Sequence, residues 1–327
     1  MFAENISSAC PSNKGGKVTL RDNCAFSHKA QPLPMNITLL GCGLMGTPMG
    51  QRLIHAGHAL TVWNRSRDKT STLAAMGARV ASTAADACAN AEVIITMLTD
   101  GDAVLHVLFD EGGAATAIPQ GALLIDMSSI RPEQAQDINV RLAQHGVNAV
   151  DAPVSGGTLG AEAGTLAIMV GAQESDYARA EPILSILGRP THVGPPGCGQ
   201  LSKLANQMIV GITIGAVAEA LLLAERGGAN PAKVREALRG GFADSRILEV
   251  HGQRMVDQDF AKRGSLRIQH KDLRNAQHTA AQLGMACPIT QQLEQLYALA
   301  EKNGWGDLDQ SALYLQLAQG INSDGVD

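Results

Sequence analysis

The stretch ITLLGCGLMGTPMGQRLIHAGHALTVWNRSRDK, Ile37 to Lys69, decides the fold. An apolar run, ITLLG, leads into Gly41, Gly43 and Gly46 spaced as G-x-G-x-x-G. A helical stretch then runs to near Gly57, before a second apolar run, LTVWN. Strand, glycine turn, helix and strand in that order make the unit that binds a dinucleotide pyrophosphate. The first glycine permits the tight turn, the second lets backbone approach the phosphates, and the third lets helix pack on strand. The helix N-terminus adds amides and the positive end of its dipole. Leu44 and Met45, between the last two glycines, share the loop and count with them as cofactor-binding. A glycine-rich turn can also be purely structural; the flanking strands and helix at the fingerprint's spacing favour the dinucleotide.

The second strand ends in VWNRSRDK, where an NAD-binding unit usually carries a carboxylate for the ribose 2′-hydroxyl. This chain has Asn64 and Arg65 there, with Arg67 and Lys69 close behind. A carboxylate would repel a 2′-phosphate, whereas a guanidinium pairs with it. NADP(H) is therefore preferred and NAD(H) remains open. Arg67 and Lys69 read equally well as the solvated start of a helix.

Outward from this stretch, the apolar runs VIITML, LLIDMS, NAVDAPV and LAIMVG continue the alternation with helical segments up to about Gly194. Such alternation predicts α/β architecture, a Rossmann-type doubly wound parallel sheet with helices on both faces. After Gly194 the strand signals stop. The segment from Gly199 to Gly228 reads as one long apolar helix, and five more helical segments follow, with Asn230, Asp244 and Thr290 or Asp309 near their starts. The expected organisation is a leader without order over 1–34, a dinucleotide-binding domain over 35–194 and an all-helical domain for substrate and oligomerisation over 195–327. Met35 is an alternative point for translation to begin.

With 327 residues the chain is long enough for two cores. At 45% apolar and 17% charged, with a formal net charge of -5, it is globular and has no basic footprint for nucleic acid. Cys10, Cys24, Cys42, Cys88, Cys198 and Cys287 show neither pairing rhythm nor CxxC spacing, which points to a reducing, cytoplasmic setting. The residues from Met208 to Ala224 are interrupted by Glu219 and diluted by Gly211 and Gly215. They fall short of the ~20 apolar residues of a span and read as a buried core helix. The leader lacks the apolar region of a signal peptide. Nine scattered histidines offer no metal-ligand spacing.

Lys203 is the misplaced letter of the long helix. With Asn206 and Gln207 it stands at i, i+3 and i+4, so the three share one face. Read alone, Lys203 is equally a lysine whose head snorkels to water, and Gly156 and Gly157 of PVSGG equally an ordinary turn. PVSGG also ends a strand where open α/β sheets bind ligands, and its amides, with the Ser155 hydroxyl, suit a carboxylate.

Three further motifs, DAPVSGGTLGAEAGTLAIMVGA (Asp151 to Ala172), GCGQLSKLANQ (Gly197 to Gln207) and HKDL (His270 to Leu273), follow the glycine fingerprint in order. Together they resemble the β-hydroxyacid dehydrogenase family, over about Asn36 to Gln319. EALRGGFADSRIL and GDLDQSALYL look closer to its tartronate semialdehyde (2-hydroxy-3-oxopropionate) reductases than to its 3-hydroxyisobutyrate dehydrogenases, and the Asn206-Gln207 pair points the same way.

The resemblance implies a catalytic lysine at Lys203. It implies substrate contacts from Ser155, Gly156, Gly157 and Asn206, with Ser128 reaching the substrate and Gln207 standing where many relatives have a second asparagine. For the cofactor it implies Leu98, Thr99 and Ser129, with Lys271 closing over from the helical region. The expected reaction is NADPH-dependent reduction of 2-hydroxy-3-oxopropionate to glycerate, by hydride transfer with a lysine general acid. Dehydrogenation of 3-hydroxyisobutyrate or another 3-hydroxy acid, and reduction of succinic semialdehyde, are alternatives within the family. A cofactor-binding interaction module without catalysis is the alternative of another class. The apolar helices predict a homodimer or homotetramer.

Overall fold

A computed structural model describes residues 34–320. The expected leader over 1–34 lies outside them but for Pro34. The first strand, β1 (Asn36–Leu40), passes through the glycine turn into α1 (Gly46–His55) and returns as β2 (Ala59–Trp63). The chain continues through α2 (Ser71–Ala75), β3 (Arg79–Val80), α3 (Ala84–Cys88), β4 (Val93–Thr96), α4 (Gly101–Phe109), β5 (Leu123–Asp126), α5 (Pro132–Ala143) and β6 (Asn148–Asp151). Then come β7 (Val154–Ser155), α6 (Gly157–Ala163), β8 (Leu166–Gly171), α7 (Glu174–Leu187) and β9 (Gly188–Gly194).

The sheet order is β3-β2-β1-β4-β5-β6-β8-β7, with β9 paired to β8. Strands β1 to β6 are parallel to one another. Side chains alternate between two cores, as a strand buried on both faces requires. Leu39, Ile95 and Ile125 meet Met49 and Leu53 of α1 and Leu184 of α7 on one face. Leu40, Ile94 and Leu124 meet Val104, Leu108 and Ile138 on the other. The order reverses between β1 and β4, so the turn after β1 opens at the switch point where such sheets take ligands.

The far edge differs from the expected parallel sheet. NAVDAPV breaks at Ala152 and Pro153 into β6 and β7, and β8 runs antiparallel to both. Two strands have no apolar run to betray them. β3 is two residues long, and β9, GRPTHVG, carries glycine and proline and stays half exposed, as an edge strand can.

After β9 the described chain is helical. The long α8 (Cys198–Arg226) is followed by α9 (Pro231–Leu238), α10 (Arg246–Asp257), α11 (Leu266–Gln282), α12 (Pro288–Ala300), a π-helical turn at Glu301–Trp305 and α13 (Leu313–Gln319). At 1.5 Å per residue α8 is about 43 Å long. By length and composition it is apolar enough to cross a membrane, contrary to the expectation from its interruptions. Its buried face is used otherwise: Ile214, Ala218 and Leu221 pack with Leu248, Leu273, Tyr297 and Leu313. Each such aliphatic side chain contributes roughly 1.5–3 kcal/mol by leaving water.

Helix starts follow their caps. Asn230 caps α9 as expected, accepting from the Lys233 amide at 3.1 Å. Ser245, rather than Asp244, caps α10 through the Leu248 amide at 3.0 Å, because the Asp244 carboxylate is taken by the Gly240 amide. Pro288 opens α12 ahead of Thr290, and Asp309 caps the short 3-10 turn before α13.

Candidate active site

Gly41 leaves β1 at φ 110°, a conformation side chains avoid, and a Cβ on it would lie 2.3 Å from the Met97 carbonyl oxygen. A Cβ on Gly46 would lie 1.9 Å from the Gly41 oxygen. A Cβ on Gly43, in contrast, would meet nothing within 4 Å, and Leu44 beside it is 62% exposed. Two glycines thus pack the turn against protein while the third faces open space, which fits the approach of a dinucleotide pyrophosphate. The turn is fastened to β2 by the Gly41 amide, which donates to the Trp63 carbonyl at 2.9 Å. The Cys42 amide adds a bond to Asn64 Oδ1 at 3.0 Å. Burial pushes the Cys42 thiol up to about 11 and keeps it protonated.

Asn64 is therefore committed to the loop: its Nδ2 also donates to the Ser66 carbonyl at 2.8 Å. Arg65, Arg67 and Lys69 are exposed and form no ion pair among the described residues. On the other side of the turn the Leu98 amide donates to Ser128 Oγ at 2.9 Å. Ser128 is fully buried, so in this conformation it does not reach a substrate as expected; its hydroxyl braces the ends of β4 and β5. The neighbouring Ser129 is half-buried, and Thr99 is exposed. Lys271 of α11 donates to the carbonyls of both, at 2.9 Å to Ser129 and 3.2 Å to Thr99, and so latches the helical region onto the cofactor edge.

The opening turn of α8 is fixed by two residues that sequence reasoning passed over. Asp151, at the end of β6, accepts from the Gly197 amide at 2.7 Å and the Gln200 amide at 2.8 Å. Gln200 in turn accepts from the Ile130 amide at 3.1 Å and donates to the Ser128 carbonyl at 2.9 Å. Anionic Asp151 suits the positive end of the helix, but burial raises it to about 6, helped by the nearby Asp126 carboxylate. Burial also raises Asp126 to about 6, against the hydrogen bonds from Thr96 and Ser128.

Anchored in this way, α8 carries Lys203 to the seam. The side chain is 8% exposed, and Nζ donates to the Val154 carbonyl at 2.9 Å and to Gln207 Oε1 at 2.8 Å. An ammonium has three protons, so one remains for a third acceptor. Desolvation lowers Lys203 to about 8; Asp272 opposes this shift and Lys271 adds to it. Val154 immediately precedes Ser155, Gly156 and Gly157, which are half-buried to exposed; the two glycines adopt φ 137° and 63°.

Asn206 is half-buried and donates from Nδ2 to Gln207 Oε1 at 2.7 Å, leaving its own carbonyl oxygen without a partner among the described residues. Gln207 has no such spare capacity. Its oxygen accepts from Lys203 and Asn206, and its Nε2 donates to Asp272 Oδ2 at 2.7 Å and to Gln269 Oε1 at 3.0 Å. It is buried, and the substrate contact expected of it would require giving up one of these bonds. Gln269 and Asp272 are the other members the sequence reading did not assign; HKDL contained the signal, since its aspartate follows Lys271 on the face that meets α8. No group of His, Cys, Asp or Glu among the described residues could hold a metal.

Comparison with known proteins agrees with this fold. Residues 36–198 match the family profile of the NAD binding domain of 6-phosphogluconate dehydrogenase, and residues 197–317 match the NAD-binding profile of NADP-dependent 3-hydroxyisobutyrate dehydrogenase. The chain is 41% identical to 2-hydroxy-3-oxopropionate reductase of Escherichia coli, over 85% of this chain and 96% of that protein. It is 34% identical to 3-hydroxyisobutyrate dehydrogenase of Pseudomonas aeruginosa, over 81% and 91% respectively. A solved structure of Mycobacterium tuberculosis 3-hydroxyisobutyrate dehydrogenase with L-serine superimposes with a TM-score of 0.80 at 33% identity, covering 87% of this chain and 99% of that one. The chain thus belongs to the 3-hydroxyacid dehydrogenase family, NAD(P)-dependent oxidoreductases acting on the hydroxyl group of small 3-hydroxy acids.

Proposed function

We propose that the chain reduces 2-hydroxy-3-oxopropionate to glycerate with NADPH, and runs the reverse dehydrogenation of small 3-hydroxy acids. The observation that carries this reading is Lys203, buried at the seam with one donor to spare and set beside the Ser155-Gly156-Gly157 turn. Bound NADPH would supply the hydride. Residues Gly41, Gly43, Leu44, Met45 and Gly46 would hold its pyrophosphate, with Leu98, Thr99 and Ser129 along the same edge under Lys271. Arg65, free of carboxylate partners among the described residues, would pair with a 2′-phosphate, while Asn64 holds the loop rather than the ribose.

In this reading the amides of Gly156 and Gly157 and the Ser155 hydroxyl receive the substrate carboxylate. The free carbonyl oxygen of Asn206 accepts from the substrate's 2-hydroxyl. The aldehyde oxygen takes the remaining proton of Lys203 as negative charge develops on it. An amine lowered to about 8 is close to the working range of a group that must both give and regain a proton near neutrality. The four described cysteines are free, in keeping with a reducing cytoplasm. Ile209 and Leu223 on α8 and Ile289 on α12 are exposed and apolar, which supports a homodimer or homotetramer through the helical region.

Relatives named for 3-hydroxyisobutyrate and for L-serine make those the competing substrates. Purified protein assayed with NADPH and NADH against tartronate, methylmalonate and succinic semialdehydes tests the reading. The highest kcat/KM is expected for tartronate semialdehyde with NADPH. A preference for methylmalonate semialdehyde would move the chain to 3-hydroxyisobutyrate, and a preference for NADH would remove the role given to Arg65.

A further inference from the structure

The Gln207 carboxamide can be oriented in only one way. Its oxygen faces two donors, Lys203 Nζ and Asn206 Nδ2, and its nitrogen faces two acceptors, the Asp272 carboxylate and Gln269 Oε1. A flip would set donor against donor and acceptor against acceptor at four contacts. Gln269 is itself locked, because its Nε2 donates to the Gln207 carbonyl at 2.9 Å. Asp272 is 2% exposed and offers its second oxygen to Lys271 Nζ at 3.2 Å. One carboxylate on α11 therefore ties together the lysine at the substrate and the lysine that latches the cofactor edge.

We propose that Gln207 and Asp272 are positioning residues for Lys203: the carboxamide, fixed by Asp272, aims the ammonium, and the same carboxylate couples that aim to the Lys271 latch. The inference rests on Lys203 being the proton donor and gives Gln207 a role that faces the lysine rather than the substrate. The side-chain length matters. An asparagine at 207 would retract by one methylene and could not span from Lys203 to Asp272. The charge matters as well. Asp272 and Lys271 from α11 are the charged groups facing Lys203, and β7 contributes only the Val154 carbonyl. Asp272 favours the ammonium and Lys271 disfavours it, so neutralising Asp272 makes the lysine lose its proton more readily.

The test compares Lys203→Ala, Gln207→Leu and Asp272→Asn by steady-state kinetics and pH profile, with tartronate semialdehyde and NADPH. Fluorescence titration of NADPH and circular dichroism serve as controls for binding and folding. Gln207→Leu is expected to lower kcat about 10- to 100-fold with little change in KM, the cost of a misaimed group. Asp272→Asn preserves an acceptor for Gln207 and is expected to move the alkaline limb of the reduction profile down by on the order of one pH unit. A rise in KM at constant kcat for Gln207→Leu would make Gln207 a substrate ligand and overturn the proposal, as would an unshifted limb in Asp272→Asn. If Gln207→Leu does not fold, the Asp272→Asn limb decides alone. Near-normal turnover of Lys203→Ala would remove the lysine as donor, whereas an inactive Lys203→Ala beside an unshifted Asp272→Asn removes only the positioning role.

Discussion

Lys203 Nζ lies 2.9 Å from the carbonyl oxygen of Val154, a residue 49 positions upstream and directly before Ser155. This bond joins the helix that carries the proposed proton donor to the strand end proposed to receive the substrate carboxylate. It also uses one of the ammonium's three protons to aim the others. Lys203→Ala is expected to lower turnover ~10²- to 10⁴-fold, the share of a general acid. NADPH affinity should remain, because the fingerprint loop is built without the lysine.

The pH dependence follows from the same group. With Lys203 as the proposed proton donor, reduction needs the ammonium, so its rate should fall as pH rises through about 8. Dehydrogenation needs the free amine, so its rate should rise through the same range. Profiles of kcat/KM measured in both directions should therefore cross, and two parallel limbs would remove Lys203 as the titrating group.

In the proposed function cofactor choice turns on Arg65, since Asn64 is occupied by the Cys42 amide and the Ser66 carbonyl. Arg65→Asp removes a guanidinium from the 2′-phosphate and adds a charge that repels it. A charge-assisted hydrogen bond contributes about 1.5–3 kcal/mol, so KM for NADPH should rise roughly 10- to 100-fold while KM for NADH holds or falls. An unchanged NADPH to NADH ratio would place the 2′-phosphate elsewhere.

The glycines of the fingerprint should separate into two kinds. Gly46→Ala forces a methyl to within 1.9 Å of the Gly41 oxygen and is expected to destabilise the turn between β1 and α1, lowering the melting temperature. Gly43→Ala meets no protein atom within 4 Å, so its melting temperature should match that of the parent while NADPH binding weakens. Full cofactor affinity in a folded Gly43→Ala protein would mean that the pyrophosphate does not lie on that side of the loop.

Legibility in the sequence followed the physics of each feature. The glycine turn and the two-faced strands show in a window of a few residues, because backbone geometry and burial act locally there. β9 was missed because an edge strand needs no apolar run, and the antiparallel β8 because strand direction depends on the length and path of its connections. In the site, Lys203 and Lys271 stood out as charges in motifs. The bonds from Gln207 to Asp272 span 65 residues, and Gln200 reaches Ile130 across 70. Such pairs become visible only once the helices are packed, and the burial of Ser128 under the Leu98 amide is equally a matter of packing that its motif does not display.

The last prediction concerns the two buried carboxylates at the ends of β5 and β6. Asp126 and Asp151 are paired in register, repel each other, and are both raised to about 6 from an ordinary value near 3.8. A raised carboxylate means that between pH 4 and 6 the folded protein keeps a proton which the unfolded chain has released. Stability should therefore fall as pH rises through that window and level off above it, by on the order of 3 kcal/mol for each carboxylate. Asp126→Asn keeps an acceptor for the Thr96 hydroxyl, which donates to Oδ1 at 2.7 Å, and removes one of the opposed charges. Urea unfolding should find the variant more stable than the parent at pH 8, with the advantage shrinking towards pH 5. A variant weaker at pH 8 would show that the Asp126 charge is compensated within the fold, with Lys271 the cation placed to do so.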